Sequence, residues 1–479
     1  MPISFFEQIY FTFEMSLSLG LGTSKDFVLS EFKDLILKDK RLVKRFQNIM
    51  VTLQKRAGSC IRKLFLDLKE ARQTYDFLGN SKVKSSLIMN EHFKQTAQRI
   101  QSSKASYILL IQDRMLLNFT HHLAKTDIGR IGKSGTKKDQ YGLFQHSTLC
   151  ITDTNECLGL INVRVFHNDE FNTEVHPDYR SIEEKNSHIW IESCKKAQSR
   201  LPSASRIIHV ADRESDIFEF LHALITENQE FVIRAQHNRF TEEGDQKRSE
   251  KIWSVLEKEP HRGTLILDMQ DAQGTKEVHL LLKAKTVTFP VPRKRTKNRQ
   301  GELTPLKINV VQVYNDEHEW VLLTSLPIDS PKDIEEAISI YKKRWHIESF
   351  HKVLKTGYAV DEIYLHKDRQ TIENLLAMAS IAACRLYWLI YTGQTEGILP
   401  AHQFFEDYEW TSVYVYFNEP LPDECPSLSE ILLRIARLGG YKKQGKKQHP
   451  PGILTMCRGF HYFSTISNMY KNMIMSRKT

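Results

Sequence analysis

Four residues in one short stretch have types and spacing that could do chemistry together. They are Tyr341, Arg344, Glu348 and Lys355, within residues 341–355 (YKKRWHIESFHKVLK). An α-helix turns about 100° per residue, so all four fall in a stripe roughly 60° wide. Ile347, Phe350, Val353 and Leu354 fall on the other side and can anchor the helix in a core. An acid flanked by cations suits a metal ion held beside a phosphate backbone. The same pattern also describes a solvated charged face with pairs four residues apart, so this helix alone does not decide between them.

Two further acids close short apolar runs. Asp113 follows Ile108, Leu109, Leu110 and Ile111, and Asp212 follows residues 206–211 (RIIHVA). Both runs read as buried strands. Taken singly, Asp113 could start a turn and Asp212 could cap a helix. Together with Glu348 they make a set of carboxylates, the ligands that Mg²⁺ or Mn²⁺ prefers. Ions held this way can activate a water or a 3′-hydroxyl and stabilise a leaving oxygen.

The elements that must position these acids follow from periodicity. Residues 27–100 read as helices, with Leu42, Phe46, Ile49 and Leu53 at helical spacing and Arg41, Lys44, Arg45, Lys55 and Arg56 mostly off that stripe. Strands are expected at 106–113, 143–152, 156–166, 206–212 and 231–235, with helices at 181–200 and 213–228. That order predicts a five-stranded sheet whose first three strands are antiparallel. Residues 240–329 read as a β-rich insertion with strands near 278–286, 307–314 and 320–326. Ser330 and Pro331 then start one helix that runs to Gly357 as its C′ residue. A second apolar helix is expected over 370–393, an irregular linker over 394–427 and a last helical unit over 428–479.

Composition bounds the function. The chain has 479 residues, enough for roughly two to four domains. Its hydrophobic share of 41% can build sizeable cores, and its net charge of +9 favours an anionic partner. Seven cysteines with no C-x-x-C pair read as free thiols in a reducing cytosol, and Cys150 and Cys157 are too isolated for a zinc site. No apolar run approaches the length of a membrane span. Residues 3–21 are apolar but carry Glu7 and Glu14 without a basic leader, so a signal peptide is not expected, and Met15 is an alternative start. Residues 129–134 (GRIGKS) imitate a phosphate-binding loop, but Asp127 stands where the pattern needs glycine. His121, His122, His346 and His351 are scattered and read as surface or packing residues.

With these residues in view, the chain resembles the bacterial DDE-type cut-and-paste transposases of the insertion-sequence-four group, close to the transposon Tn five transposase. The family's late-helix signature of Tyr, Arg, Glu and Lys is met by Tyr341, Arg344, Glu348 and Lys355. Residues 212–217 (DRESDI) resemble its second-acid segment, and Asp113 follows an apolar strand as its first acid does, although Arg114 stands where the family usually has Thr or Ser. Residues 37–41 (LKDKR) and the basic helix after them resemble the end-binding segment, and 71–78 (ARQTYDFL) the close of that domain. Residues 436–440 (ARLGG) resemble the dimerisation domain.

The resemblance implies an α/β, ribonuclease-H-like catalytic core over 101–393 with the β-rich insertion. It implies an all-helical N-terminal DNA-end-binding domain over 27–100 and a helical dimerisation domain over 394–479. It implies Asp113, Asp212 and Glu348 as catalytic metal ligands for Mg²⁺, with Mn²⁺ as substitute. Tyr341, Arg344, Lys355, Trp320, Arg234, Arg41 and Arg45 are implied as DNA contacts, with Trp320 taking a flipped base. Expected partners are double-stranded DNA (terminal inverted repeats and target) and a second copy once ends are paired, with no membrane and no nucleotide cofactor. The expected place is the cytoplasm, on the nucleoid. Residues 293–299 (RKRTKNR) are a generic phosphate contact or a solvated hairpin tip. The competing expectations are a nuclease of the same fold that cuts without joining, and a catalytically inactive DNA-binding repressor.

Overall fold

The computed structural model describes residues 19, 22–57, 67–120, 128–133, 138–171, 180–202, 205–242, 250–271, 274–292, 303–360, 368–395, 397–442 and 450–476. His121, His122, Ser134 and the basic run 293–299 lie outside them, as does most of 3–21.

Four helices open the chain: α1 (Ser24–Glu31), α2 (Lys40–Lys55), α3 (Leu68–Leu78) and α4 (Ser85–Ser102). Side-chain caps start three of them. Thr23 and Asp26 make a reciprocal capping box on α1, and Asp39 and Asp67 accept the first free amides of α2 and α3. α2 buries Phe46, Ile49, Met50 and Leu53, while Leu42 is only partly covered. Its basic face is not wholly free. Lys55 pairs at 2.7 Å with Glu409, far along the chain.

The centre is a ten-stranded mixed sheet. Its strands are β1 (Ile108–Asn118), β2 (Gly129–Lys133), β3 (Asp139–Thr152), β4 (Cys157–Phe166), β5 (Ile207–Ala211), β6 (Glu230–Arg234), β7 (Gly263–Asp271), β8 (Gly274–Phe289), β9 (Leu306–Tyr314) and β10 (Glu319–Thr324). β4, β3 and β1 run antiparallel, and β5 and β6 join parallel to β1. This is the five-strand order expected from sequence and is consistent with a ribonuclease-H-like core. The insertion does not stand apart. β10 pairs antiparallel with β6, and β9, β8 and β7 extend the same sheet. β2 was not anticipated. It makes the glycine-rich 129–133 segment a strand at the sheet's margin, so these residues form no phosphate loop.

Helices α5 (His188–Gln198), α6 (Phe218–Thr226) and α7 (Ile252–Lys258) cover the central and insertion strands. The long helix expected over 330–357 is divided into α8 (Pro331–Lys342) and α9 (Trp345–Lys352), followed by a π-turn over Val353–Gly357. Gly357 does not take the left-handed C′ conformation. Ala359 does, at φ 44°, while Gly357 is needed because a Cβ there would lie 2.9 Å from Cys457 Sγ.

α10 (Arg369–Thr395) is long and apolar enough to cross a membrane, but 94% of its apolar window is buried inside the chain. It is a core helix, packed on α2, α3, α4 and β4. The expected linker contains α11 (Asp407–Tyr416), and α12 (Leu428–Leu438) and α13 (Ile453–Ser476) follow.

One buried polar node ties α1 and α4 to β4. Arg99 forks onto Glu31 at 2.7 and 3.1 Å and donates its third nitrogen to the Leu158 carbonyl at 2.6 Å. His92 donates from Nδ1 to Glu31 at 2.5 Å and accepts the Leu160 amide on Nε2 at 3.0 Å, which marks a neutral ring. Burial pushes the Glu31 carboxyl up, but Arg99 and His92 outweigh it and hold it down at about 2. Gly159, at φ 124°, makes this approach possible. A Cβ there would meet Thr96 Oγ1 at 2.4 Å.

Candidate functional site

Asp113 does not end its strand. β1 continues to Asn118, and Asp113 sits in its middle opposite Ser147 of β3. On its other side β5 runs parallel, with Gln112 level with Ala211 as the last pair. Asp212 is the next residue, so the two aspartates stand side by side where β5 leaves the sheet. Neighbouring strands are about 4.8 Å apart, so the carboxylates feel each other strongly. Asp212 also caps the short 3₁₀ turn Arg213–Ser215, accepting the Glu214 amide at 2.9 Å. Cap and site are the same residue.

The electrostatics of the pair are asymmetric. Burial and the charge of Asp113 push Asp212 up to about 6. Asp113 is also pushed up by burial, but the His351 ring beside it, at 3.5 Å, brings it below the ordinary carboxylate range. His351 is thus no scattered surface residue. It is 8% exposed and faces the first acid from α9. Arg114, the departure from the family pattern, spans the same two segments. It pairs with Glu214 at 2.8 Å and lies over the Phe144 ring at 4.7 Å.

The late-helix stripe is present but bent. Between α8 and α9, the amides of Arg344, His346 and Ile347 bond three residues back, a tighter 3₁₀ step. Lys343 donates to the Asp153 carbonyl at this step, and Trp345 is thrown outward, 65% exposed. Arg344 still lies one turn before Glu348, and the two form an ion pair. Arg344 also lowers the cost of charge on both aspartates. Tyr341 is buried against it. Burial raises its hydroxyl, with Arg344 and Arg234 opposing. Lys355 lies in the π-turn, an irregularity common at functional positions, and its ammonium donates to the Leu116 carbonyl of β1 at 3.3 Å.

Asp113, Asp212, Tyr341, Arg344, Glu348 and Lys355 therefore gather around the β1–β5 junction. Arg234 and Trp320 belong to the next strands. Arg234 pairs with Leu322 and reaches the Glu319 carbonyl at 3.4 Å, and Trp320 is partly buried on β10. Arg41 and Arg45 lie on α2, away from this junction. Arg41 is 91% exposed and bound to Asp39. The second aspartate of the DRESDI segment, Asp216, is structural, holding Arg239 and the amides of Gln236 and His237. His346 is a packing residue, hydrogen-bonded to Tyr387.

Two adjacent carboxylates, one forced toward protonation by the other, form a donor set that an oxygen-seeking divalent cation relieves. The chemistry of Asp113 and Asp212 fits such an ion. Glu348 is the third oxygen donor of the region, but it faces Arg344. Among the described residues no three His, Cys, Asp or Glu side chains converge on one point. The triad expected from sequence is gathered in one region without being closed into one cage.

Two family matches bracket this region. Residues 24–83 match a family described as transposase DNA-binding, and residues 381–470 match one described as the transposase Tn5 dimerisation domain. α1, α2 and α3 lie within the first. The end of α10 and α11, α12 and most of α13 lie within the second. All three acids fall between the two.

Proposed function

We propose that this chain, a Tn5-like transposase with a DNA-binding and a dimerisation domain, cuts and joins DNA at the β1–β5 junction. The observation that carries the reading is the paired Asp113 and Asp212, one of them held near pH 6, beside a helix presenting Glu348 and two cations. Asp113, Asp212 and Glu348 would hold Mg²⁺, or Mn²⁺ in its place. When bound, the ion supplies an activated water or 3′-hydroxyl and neutralises charge on the leaving oxygen.

The chain's own residues prepare this. An incoming phosphate competes for the Arg344 guanidinium, which meets Glu348 through one nitrogen while its Nε has no hydrogen-bond partner, and which can take a phosphate bidentately. Its arrival frees Glu348 to join the aspartates, so closure of the site follows substrate binding. Lys355, Tyr341 and Arg234 steady neighbouring phosphates and set orientation without reading sequence. Trp320 offers a face on which an unpaired base stacks, and exposed Trp345 offers a second. Arg41 and Arg45 on α2 contact the terminal repeat. A second copy pairs the two ends. Water frees a 3′-hydroxyl, which attacks the opposite strand to form a hairpin and release the flanking DNA. A second water opens the hairpin, and the regenerated 3′-hydroxyl attacks target DNA. Each step is the same phosphoryl transfer with a different nucleophile.

The test uses a plasmid carrying the inverted repeats that flank this gene. Full-length protein with Mg²⁺ is expected to cut at both repeats and to give joined products. Cuts without joining would replace the proposal by a simple nuclease. Binding without cuts would replace it by a repressor.

A further inference from the structure

β4 is an outer strand: among the described residues it pairs only with β3. β4, whose backbone is met by side chains of Arg99, His92, Arg200 and Arg369, is one wall of a groove of about 690 Å³, distinct from the β1–β5 junction. The start of α4, the end of α5 and the start of α10 form the other walls. Lys84, Arg164, Lys196, Arg200 and Arg369 line it, with Glu373 as the one acid among its lining residues. Lys196, Arg164 and Arg369 have carboxylate partners, Glu192 for the first, Glu170 for the second and Glu170 and Glu373 for the third, and Lys84 donates to the Gln370 side-chain oxygen. Arg200 instead grips the Ile161 carbonyl and the Asn162 side-chain oxygen, at 2.7 and 3.0 Å.

Three unspent donors line this groove. Asn162 is 2% exposed, and with its oxygen taken by Arg200 its amide nitrogen has no hydrogen-bond partner. A buried amide donor without an acceptor costs roughly 1–3 kcal/mol. Arg164 Nε is likewise buried and unbonded. The third is the N-terminus of α4, an 18-residue helix that begins at Ser85 and Ser86 with no side-chain cap from Lys84. Uncapped amides and the helix dipole make such an end favourable to an anion. Asn162 and Arg164 stand two residues apart on β4, roughly 7 Å of strand, and the start of α4 lines the same groove, a spread longer than one small anion needs.

We propose that this groove binds the phosphodiester backbone of a DNA strand, separately from the strand being cut. The inference rests on the transposase reading. It adds a second contact surface, built by the edge of β4 and the start of α4.

The test is DNA affinity of the full-length protein, by fluorescence anisotropy between 50 and 200 mM salt. The probes are a duplex carrying the flanking repeat and a scrambled duplex of equal length. Lys196→Gln, at an exposed side chain, is expected to weaken binding several-fold and to reduce the salt slope by about one. Ser85→Asp is expected to weaken binding while leaving thermal stability unchanged or higher, since an acid suits a helix N-terminus. That opposition separates lost contact from lost fold. Weakening on both duplexes assigns the groove to sequence-independent DNA such as target. Weakening on the repeat alone assigns it to the element's end. Unchanged affinity and slope on both duplexes would overturn the groove and leave the transposase reading intact. Absence of DNA binding by the wild-type chain would overturn both.

Discussion

Two carboxylate clusters, a buried one at Glu31 and a partly buried one at the β1–β5 junction, resolve opposite electrostatic problems. At Glu31, each oxygen has a partner: Arg99 forks onto it, His92 donates to it, and the His92 ring spends its other nitrogen on the Leu160 amide. The carboxyl is held down at about 2. At the β1–β5 junction two carboxylates are brought together with one His351 contact and one cap bond between them, and Asp212 rises to about 6. The first cluster is closed by groups from the chain itself. The second remains short of positive charge, because the arginine that acts on both aspartates, Arg344, is committed to Glu348. A cluster that satisfies itself fastens elements together. One left short is where an external cation or phosphate has most to offer.

Substitutions should separate the two clusters. The largest effect is expected from Asp113→Ala, which should lower cleavage of repeat-bearing DNA by at least about a thousandfold, some 4 kcal/mol of barrier, while DNA binding persists. Retained cleavage would remove the junction from the chemistry. Glu31→Gln should instead cost about 3–5 kcal/mol of stability, because it strands the buried Arg99 charge. Denaturant unfolding reads it, and a loss under 1 kcal/mol would show that the node fastens little. Trp320→Ala should slow cleavage by roughly tenfold or more, in line with about 1–3 kcal/mol for a stacked base. A structural tryptophan would lower the melting temperature and spare the rate.

The smallest effect is the most specific to the comparison. Asp212→Asn keeps the cap bond and removes the repulsion, so it should raise stability at pH 7 by roughly 1–2 kcal/mol, allowing for partial exposure, while abolishing cleavage. The pH profiles run in opposite senses. Glu31, lowered from 4.5 to about 2, contributes stability that is present above 4.5 and lost as pH falls toward 2. His92, lowered by burial, acts in the same sense from 6.5 downward. Asp212, raised from 3.8 to about 6, contributes stability that is present below 3.8 and lost as pH rises through 6. Unfolding measured against pH in wild type and Asp212→Asn should coincide below 3.8, diverge as pH rises through 6, and stay apart above it.

Much of this was readable in the residues. The strands around Asp113 and Asp212 start as apolar runs, and the helix before the one carrying Glu348 announces its start with Ser330 and Pro331. What escaped depended on distant partners. His351 meets Asp113 only through the fold, so nothing beside it in sequence marks it. The break at Lys343 follows from a lysine reaching the Asp153 carbonyl, another distant partner. β2 is five residues with two glycines, and α7 is seven residues, both too short for a period to show. α11 is rich in β-branched and aromatic residues that favour strand locally, and it is helical because a capping box starts it and Lys55 and the C-terminal helices hold it. Asp113 was placed at a strand's end because the apolar run stops there. The ladder to β3 carries the strand five residues further.

The central claim is that Asp113 and Asp212 await a divalent cation. Calorimetric titration of Mg²⁺ into the full-length protein at pH 6, in two buffers of different ionisation enthalpy, tests it most directly. Asp212 is near half protonation there, so binding should release about half a proton in wild type and none in Asp212→Asn, with weaker binding in the variant. Equal Mg²⁺ binding by wild type and the Asp113→Asn, Asp212→Asn double variant, or no binding by either, would contradict the account.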